Sequence, residues 1–349
     1  MKIVDLRSDT ITKPSPEMWD AVKSLDNSKI GDDVYGEDPT INELEAKAAK
    51  IVGKEAALYV TSGTQGNLVS LLSQTNPGEE ILLEDLSHIY EHEIDGATRV
   101  AGLKIGTYTS NKGVPLLDDL QKLIHKKENA NEAPITLLCT ENTHNYHGGA
   151  IIRPEDIQNM KQFAEENDLK LHLDGARIFN AAVGLNIPAI EFTKHVDSVM
   201  FCLSKGLSCP VGSIVAGSKT LIMKARKYRK ILGGGMRQAG IIASFGLVAF
   251  EPKWINRLEE DHKNATLLAE GIENLNLPIE IQKPDTNILM VSIPQGVRVV
   301  KIITALNKEG ILAFNIDKQR IRFVTHYGIN EDDIRYSVGK IGNVLRKFL

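Results

Sequence analysis

Two residues of this chain are placed to do covalent and acid–base chemistry on a small molecule. Lys205, in Ser204-Lys205-Gly206, directly follows the apolar run Val199–Leu203, which sets its amine at the carboxyl end of a candidate strand. An amine held there is a candidate to form a Schiff base with a carbonyl group. Asp174 follows Leu171-His172-Leu173, the end of a second candidate strand, and stands 31 residues before Lys205, room for one helix and one strand between them. Taken singly, each has an ordinary explanation, since most lysines after strands are solvated and an aspartate in that place often caps a helix. Taken together they supply what a pyridine-type cofactor needs: an amine for its aldehyde, and a carboxylate that keeps its ring nitrogen protonated.

Such a cofactor also carries a phosphate, and Ser62-Gly63-Thr64, between a short strand and a helix, offers N–H groups, hydroxyls and the positive end of a helix. The three features match pyridoxal 5′-phosphate better than a nucleotide. Gly217-Ser218-Lys219-Thr220 lacks the glycine a Walker loop needs before its lysine, and Gly233-Gly234-Gly235-Met236-Arg237-Gln238 has glutamine where the last glycine of a dinucleotide fingerprint belongs. His88 comes just past the strand Ile81–Leu83 and its acidic loop, where an imidazole can lie against a cofactor ring. A rival pattern is His88-Ile89-Tyr90-Glu91-His92, which fits the inverted zinc-protease signature with two histidines one helical turn apart, but accounts for nothing else in the chain. Three arginines are candidate anion binders: Arg177, Arg237 in its glycine-rich turn, and Arg322, flanked by Ile321, Phe323 and Val324. An arginine inside so apolar a strand is expected to face a carboxylate, which an amino-acid substrate would provide.

These residues need a scaffold. With 349 residues, 42% hydrophobic and 25% charged, the chain is a globular protein with a large core, long enough for two domains. A formal charge of −4 argues against a nucleic-acid partner. The longest nearly apolar stretch, Ala239–Phe250, is too short to span a bilayer, and charges break up the first seven residues, so a cytoplasmic location is expected. Cys139, Cys202 and Cys209 are expected to be buried, unpaired thiols.

From residue 40 to about 217, helical and strand patterns alternate. The first clear helix opens on Thr40 and Glu43, spaced as a capping box, and stops at Gly53. Strands are expected at 56–60, 80–83, 134–140, 169–173, 196–203 and 211–216. Alternation of this kind predicts an α/β fold with a mostly parallel sheet covered on both faces, with ligands at the carboxyl ends of its strands. After residue 250 the pattern becomes a long helix over 254–275, a strand at 287–293, a helix near 297–308, paired strands around 311–316 and 320–325, and a last helix. The chain divides accordingly into a large domain, 1–250, and a smaller α+β domain, 251–349.

One set of ordered segments goes further: Leu6-Arg7-Ser8-Asp9-Thr10, Gly31-Asp32-Asp33-Val34-Tyr35-Gly36, Ser62-Gly63-Thr64-Gln65-Gly66-Asn67, Glu141-Asn142-Thr143-His144-Asn145, Asp174-Gly175-Ala176-Arg177, Ser204-Lys205-Gly206, Gly233–Gln238 and Val324-Thr325-His326. Over nearly the whole length the chain resembles the L-threonine aldolases of the aminotransferase-like, fold type I class. The resemblance implies cleavage of L-threonine or L-allo-threonine to glycine and acetaldehyde. It also implies Lys205 tethering the cofactor with Ser204 beside it, Asp174 on the pyridinium nitrogen, and His88 stacked on the ring. Ser62, Gly63 and Thr64 would hold the phosphate, with Arg237 supplied by a neighbouring subunit. Ser8, Arg177 and Arg322 would grip the substrate carboxylate, Tyr35 would reach in from a partner chain, and the assembly would be a homotetramer. In one respect the chain departs from the family, whose members commonly carry a second catalytic histidine where Asn131 stands here; nearby His125 reads as part of a charged helix.

Overall fold

The computed structural model describes residues 2–129 and 133–349. Seven strands form the central sheet: β1 (Ala56–Val60), β2 (Glu80–Glu84), β3 (Lys104–Tyr108), β4 (Ile135–Glu141), β5 (Lys170–Asp174), β6 (Ser198–Cys202) and β7 (Ser213–Gly217). They lie in the order β1-β7-β6-β5-β4-β2-β3. All neighbours are parallel except β7, which runs against both β1 and β6. Every residue of β2, β6 and β7 is buried, which is why these strands read as continuous apolar runs instead of alternating ones. Edge strand β3 has no such run, its Lys104 and Thr107 being exposed, and sequence patterning missed it.

Helices cover both faces. The first long one, α1 (Pro39–Ile51), is capped two residues before the expected capping box: Asp38 Oδ1 accepts from the N–H groups of Thr40 and Ile41, and Pro39 occupies the first helical position. Thr40 turns away, its hydroxyl donating to the Lys29 carbonyl. Next, α2 (Gly63–Gln74) begins on Ser62, which caps the Gln65 N–H, and it lies hard against the sheet. A Cβ on Gly63 would come within 2.9 Å of Cys202 Sγ, and one on Gly66 within 2.5 Å of Met200 Cγ, so only glycine allows that approach. It is followed by α3 (His88–Asp95) and, after β7, by α4 (Lys219–Ile231). The helix expected over 254–275 is two, Pro252–Asn256 and α5 (Leu258–Glu273), with Arg257 between them.

Beyond α5 lies a four-stranded antiparallel sheet, β8 (Glu280–Gln282), β9 (Ile288–Ser292), β10 (Phe314–Asn315) and β11 (Arg320–Val324), in the order β8-β9-β11-β10. The pairing expected for 311–316 is only partly made. Phe314–Asn315 joins β11, whereas Ile311–Leu312 pairs in parallel with Val4–Asp5 at the start of the chain. Val4 and Leu6 pack in one apolar cluster with Leu289, Val291, Ile302 and Phe323. Each such fully buried side chain stabilises the fold by about 1.5–3 kcal/mol. The three cysteines are buried and unpaired. Among the described residues no helix is long and apolar enough to cross a membrane.

Candidate functional site

The carboxyl edge of the central sheet collects the chemistry. Strands β2, β4 and β5 end there on Glu84, Glu141 and Asp174, all buried, and β6 leads out to Ser204 and Lys205. Asp174 is 2% exposed. Its Oδ1 accepts from the Ala176 N–H at 3.0 Å and its Oδ2 from Asn67 Nδ2 at 2.9 Å. Asn67 sits one turn into α2, so the same helix that presents Ser62, Gly63 and Thr64 at its start also reaches the aspartate. The second hydrogen of the Asn67 amide goes to Glu93 Oε2 at 3.1 Å, and the Thr64 hydroxyl donates to Glu93 Oε1 at 3.3 Å. Lys205 is close enough for its charge to act on both Asp9 and His88, and among the described residues no hydrogen bond or ion pair ties up its amine.

His88 opens α3. Its backbone N–H donates to Glu141 Oε2 at 2.7 Å and its Nδ1 meets Glu93 Oε1 at 2.8 Å, leaving Nε2 for a ligand. Burial disfavours the charged ring, but the Glu93 hydrogen bond and the charges of Asp174 and Glu93 outweigh it and raise the pKa. Neither histidine of the zinc-like pattern joins a grouping of metal-like spacing among the described residues: His88 Nδ1 meets Glu93, and His92 Nε2 meets the Tyr146 hydroxyl at 3.1 Å. Among the described residues the one grouping with metal-like ligand spacing is Glu84, His144 and His147, whose ligand atoms lie within 4.8 Å of one another. There the two imidazoles hydrogen-bond the buried Glu84 carboxylate, each at 3.0 Å, and hold it well below the usual carboxylate range against the opposing effect of burial.

The two strand-linked arginines differ. Arg177 is buried and meets Asp9 along one edge of its guanidinium, with Nε to Oδ2 and Nη2 to Oδ1 both at 2.7 Å. Burial works to raise the Asp9 pKa, yet the Arg177 charge and hydrogen bonds, helped by Lys205 and Asn287, hold that carboxyl well below its ordinary value. Arg322, on β11, has only neutral partners: Asn145 Oδ1 at 2.8 Å and the Arg7 carbonyl at 3.1 Å. Its Nε is buried without a partner. Burial, with the nearby Arg177 charge, lowers its pKa to about 10, so it remains a cation at neutral pH. Ser8 follows Arg7 directly and caps the turn Asp9–Ile11, after which the Thr12 hydroxyl donates to the Lys205 carbonyl at 2.9 Å. The N-terminal segment thus runs from Arg322 to Lys205.

Tyr35 and Arg237 stand apart from this cluster. Tyr35 is 73% exposed, and Arg237, with its side chain 63% exposed, pairs with Asp32 at 2.8 Å. No described hydrogen bond or ring contact joins either to the Asp174 cluster. Asn131 lies outside the described residues. His125 is exposed on the helix Leu117–Asn129, its Nε2 against Gln121. Sequence reading overlooked Asn67, Glu93 and Asp9, and passed His172 as part of a strand. A signal existed for His172: two residues before Asp174 on one strand, it shares that residue's face.

The profile of the beta-eliminating lyase family matches residues 5–295. The chain is 39% identical over 344 residues to low-specificity L-threonine aldolase 1 of Arabidopsis thaliana, covering 97% of this chain and 95% of that protein. It is 38% identical over 335 residues to the low specificity L-threonine aldolase of Escherichia coli K12, covering 95% and 96%. In fold it is similar to the Leishmania major threonine aldolase, with a TM-score of 0.84 at 19% identity over 98% of this chain and 99% of that one. Serine palmitoyltransferase of Sphingomonas wittichii shares the fold too, with a TM-score of 0.79 at 16% identity over 99% of this chain and 88% of that one.

Proposed function

The chain belongs to the beta-eliminating lyase family, among the low-specificity L-threonine aldolases, and from that premise we propose that it cleaves L-threonine or L-allo-threonine to glycine and acetaldehyde using pyridoxal 5′-phosphate. One observation carries the proposal: a single sheet edge holds an untied lysine amine and a buried, hydrogen-bonded carboxylate, and Arg322, a buried cation without an acidic partner, is joined to it by the N-terminal segment. The donor set fits the cofactor. Lys205 would hold its aldehyde, Asp174 its ring nitrogen, and Ser62, Gly63 and Thr64 at the start of α2 its phosphate. When bound, pyridoxal phosphate supplies an electron sink for the pair released when a bond at the substrate's Cα breaks.

The protein's own residues do the rest. Arg322, with Ser8 beside it, binds the substrate carboxylate and so fixes which Cα bond is aligned to break. His88 takes the proton of the β-hydroxyl on Nε2, and Glu93, on Nδ1, stabilises the imidazolium that forms. Asp174 keeps a proton on the ring nitrogen, which concentrates stabilisation in the charge-separated transition state. Arg177 holds Asp9 and through it the N-terminal segment; Tyr35 and Arg237 serve the site of a neighbouring copy in a homotetramer. The test is product analysis with both threonine diastereomers. Acetaldehyde and glycine in equal amounts are expected, whereas a keto acid or ammonia as the main product would replace the proposal with transamination or β-elimination.

A further inference from the structure

We infer that His172, which does not reach the site, is a positioning residue: as the Nε2–H tautomer it locks the Asn67 amide so that both amide hydrogens serve Asp174 and Glu93. The inference rests on the cofactor reading above, since Asp174 is the group being positioned.

One buried chain of side chains leads from Gln74 to Asp174, and its donors and acceptors can be matched one by one. Gln74 Nε2 donates to the Ser70 carbonyl at 3.0 Å and to Ser198 Oγ at 2.8 Å. The Ser70 carbonyl accepts only, so the Gln74 amide cannot be turned round. Ser198 accepts from Gln74, and its own hydrogen is free for His172 Nδ1 at 2.7 Å. An unprotonated Nδ1 accepts that hydrogen. Complete burial lowers the His172 pKa to about 4, so near neutral pH the ring carries one proton, and it sits on Nε2. From there it donates to Asn67 Oδ1 at 3.2 Å.

The other end of the chain fixes that tautomer. Asn67 Nδ2 lies 2.9 Å from Asp174 Oδ2 and 3.1 Å from Glu93 Oε2, and a flipped amide would set its oxygen against two carboxylates. The two carboxylates beyond Asn67 therefore fix the amide, the amide oxygen requires the proton on His172 Nε2, and Nδ1 is left to accept from Ser198. Because Glu93 also accepts from His88 Nδ1, the Asn67 amide links the carboxylate assigned to the ring nitrogen with the base assigned to the substrate hydroxyl. Asn67, His172 and Ser198 are all 0% exposed, so a hydrogen bond left unmade among them is costly.

The experiment compares wild-type holoenzyme with His172→Phe, His172→Gln and Ser198→Ala. Glutamine can still offer an N–H to Asn67 and phenylalanine cannot. In His172→Phe, kcat should fall roughly 10- to 100-fold, the range for partners behind a working group, with KM for threonine nearly unchanged. Retention of pyridoxal phosphate should weaken and the pH titration of the visible band should shift, with His172→Gln recovering most of each and Ser198→Ala moving all three in the same direction by less. Nitrogen-15 spectra of histidine-labelled holoenzyme report the tautomer directly and apply even if the phenylalanine variant does not fold. Nδ1–H on His172, or native kcat, cofactor retention and titration in both His172→Gln and Ser198→Ala with the Phe variant no worse, would overturn the inference. If wild-type protein bound no pyridoxal phosphate, the proposed function would fall instead, and the tautomer would still decide the relay.

Discussion

The two walls of the candidate site are built on opposite principles. On the sheet side, Asp174, Asn67, Glu93 and His88 satisfy one another before anything binds, with each donor matched to an acceptor. On the side of the second sheet, Arg322 is desolvated, hydrogen-bonds only neutral groups and keeps an unpartnered Nε. A buried cation left in that state costs stability, and a carboxylate from outside removes the cost. The difference separates the two tasks: the satisfied wall stays rigid through a reaction, and the unsatisfied one gains its missing interaction when the ligand arrives.

The comparison can be broken at several points. Lys205→Ala should abolish turnover on both threonine diastereomers while leaving the fold intact by circular dichroism; substantial residual cleavage would remove the lysine from its role. His88→Asn should lower kcat by about 10²–10⁴-fold, the usual worth of a positioned acid–base group. Because His88 must be neutral to accept a proton and its pKa is raised, wild-type kcat should fall on the acid side with a midpoint above about 6.5, and the variant should lose that limb. A midpoint unchanged in the variant would assign the limb to another group.

Asp9→Asn tests the satisfied side of the N-terminal segment. It leaves Arg177 buried without its carboxylate, so unfolding by denaturant should show a loss of about 3–5 kcal/mol. The Asp9 pKa is depressed in the folded protein, so its contribution is complete above the ordinary carboxylate range and fades as pH falls below about 5. The variant's stability should accordingly depend less on pH in that range; equal acid sensitivity would contradict the assignment. Arg322→Gln should raise KM for threonine about 10- to 100-fold, corresponding to the roughly 1.5–3 kcal/mol of a charge-assisted hydrogen bond, with a smaller change in kcat. The smallest expected effect on folding is that of Arg237→Ala, since the side chain is exposed. Its activity loss should be partly rescued in mixed oligomers with Lys205→Ala chains, and no rescue would return both residues to one subunit.

What the sequence made legible follows the same division. Lys205 and Asp174 were readable because apolar strands stop abruptly at them, and in a sheet covered on both faces such stops mark the ligand edge. The relay behind Asp174 was not, because Asn67, Glu93 and His172 come from α2, α3 and β5, and nothing local shows that three polar residues on separate elements meet. Asp9 and Arg177 are 168 residues apart, and no periodicity carries that pairing. The expected pairing of 311–316 was partly wrong for a related reason: the partner of Ile311–Leu312 is the chain's own beginning. Tyr35 and Arg237 could be singled out by motif, yet one chain gives them no target.

The central claim is the tether at Lys205, and one measurement addresses it directly. Purified protein supplemented with pyridoxal phosphate is reduced with borohydride, digested and mapped by mass spectrometry. A visible absorption band that disappears on reduction, with the adduct on the peptide containing Lys205, is the predicted result; no band, or an adduct on a different lysine, would contradict the account.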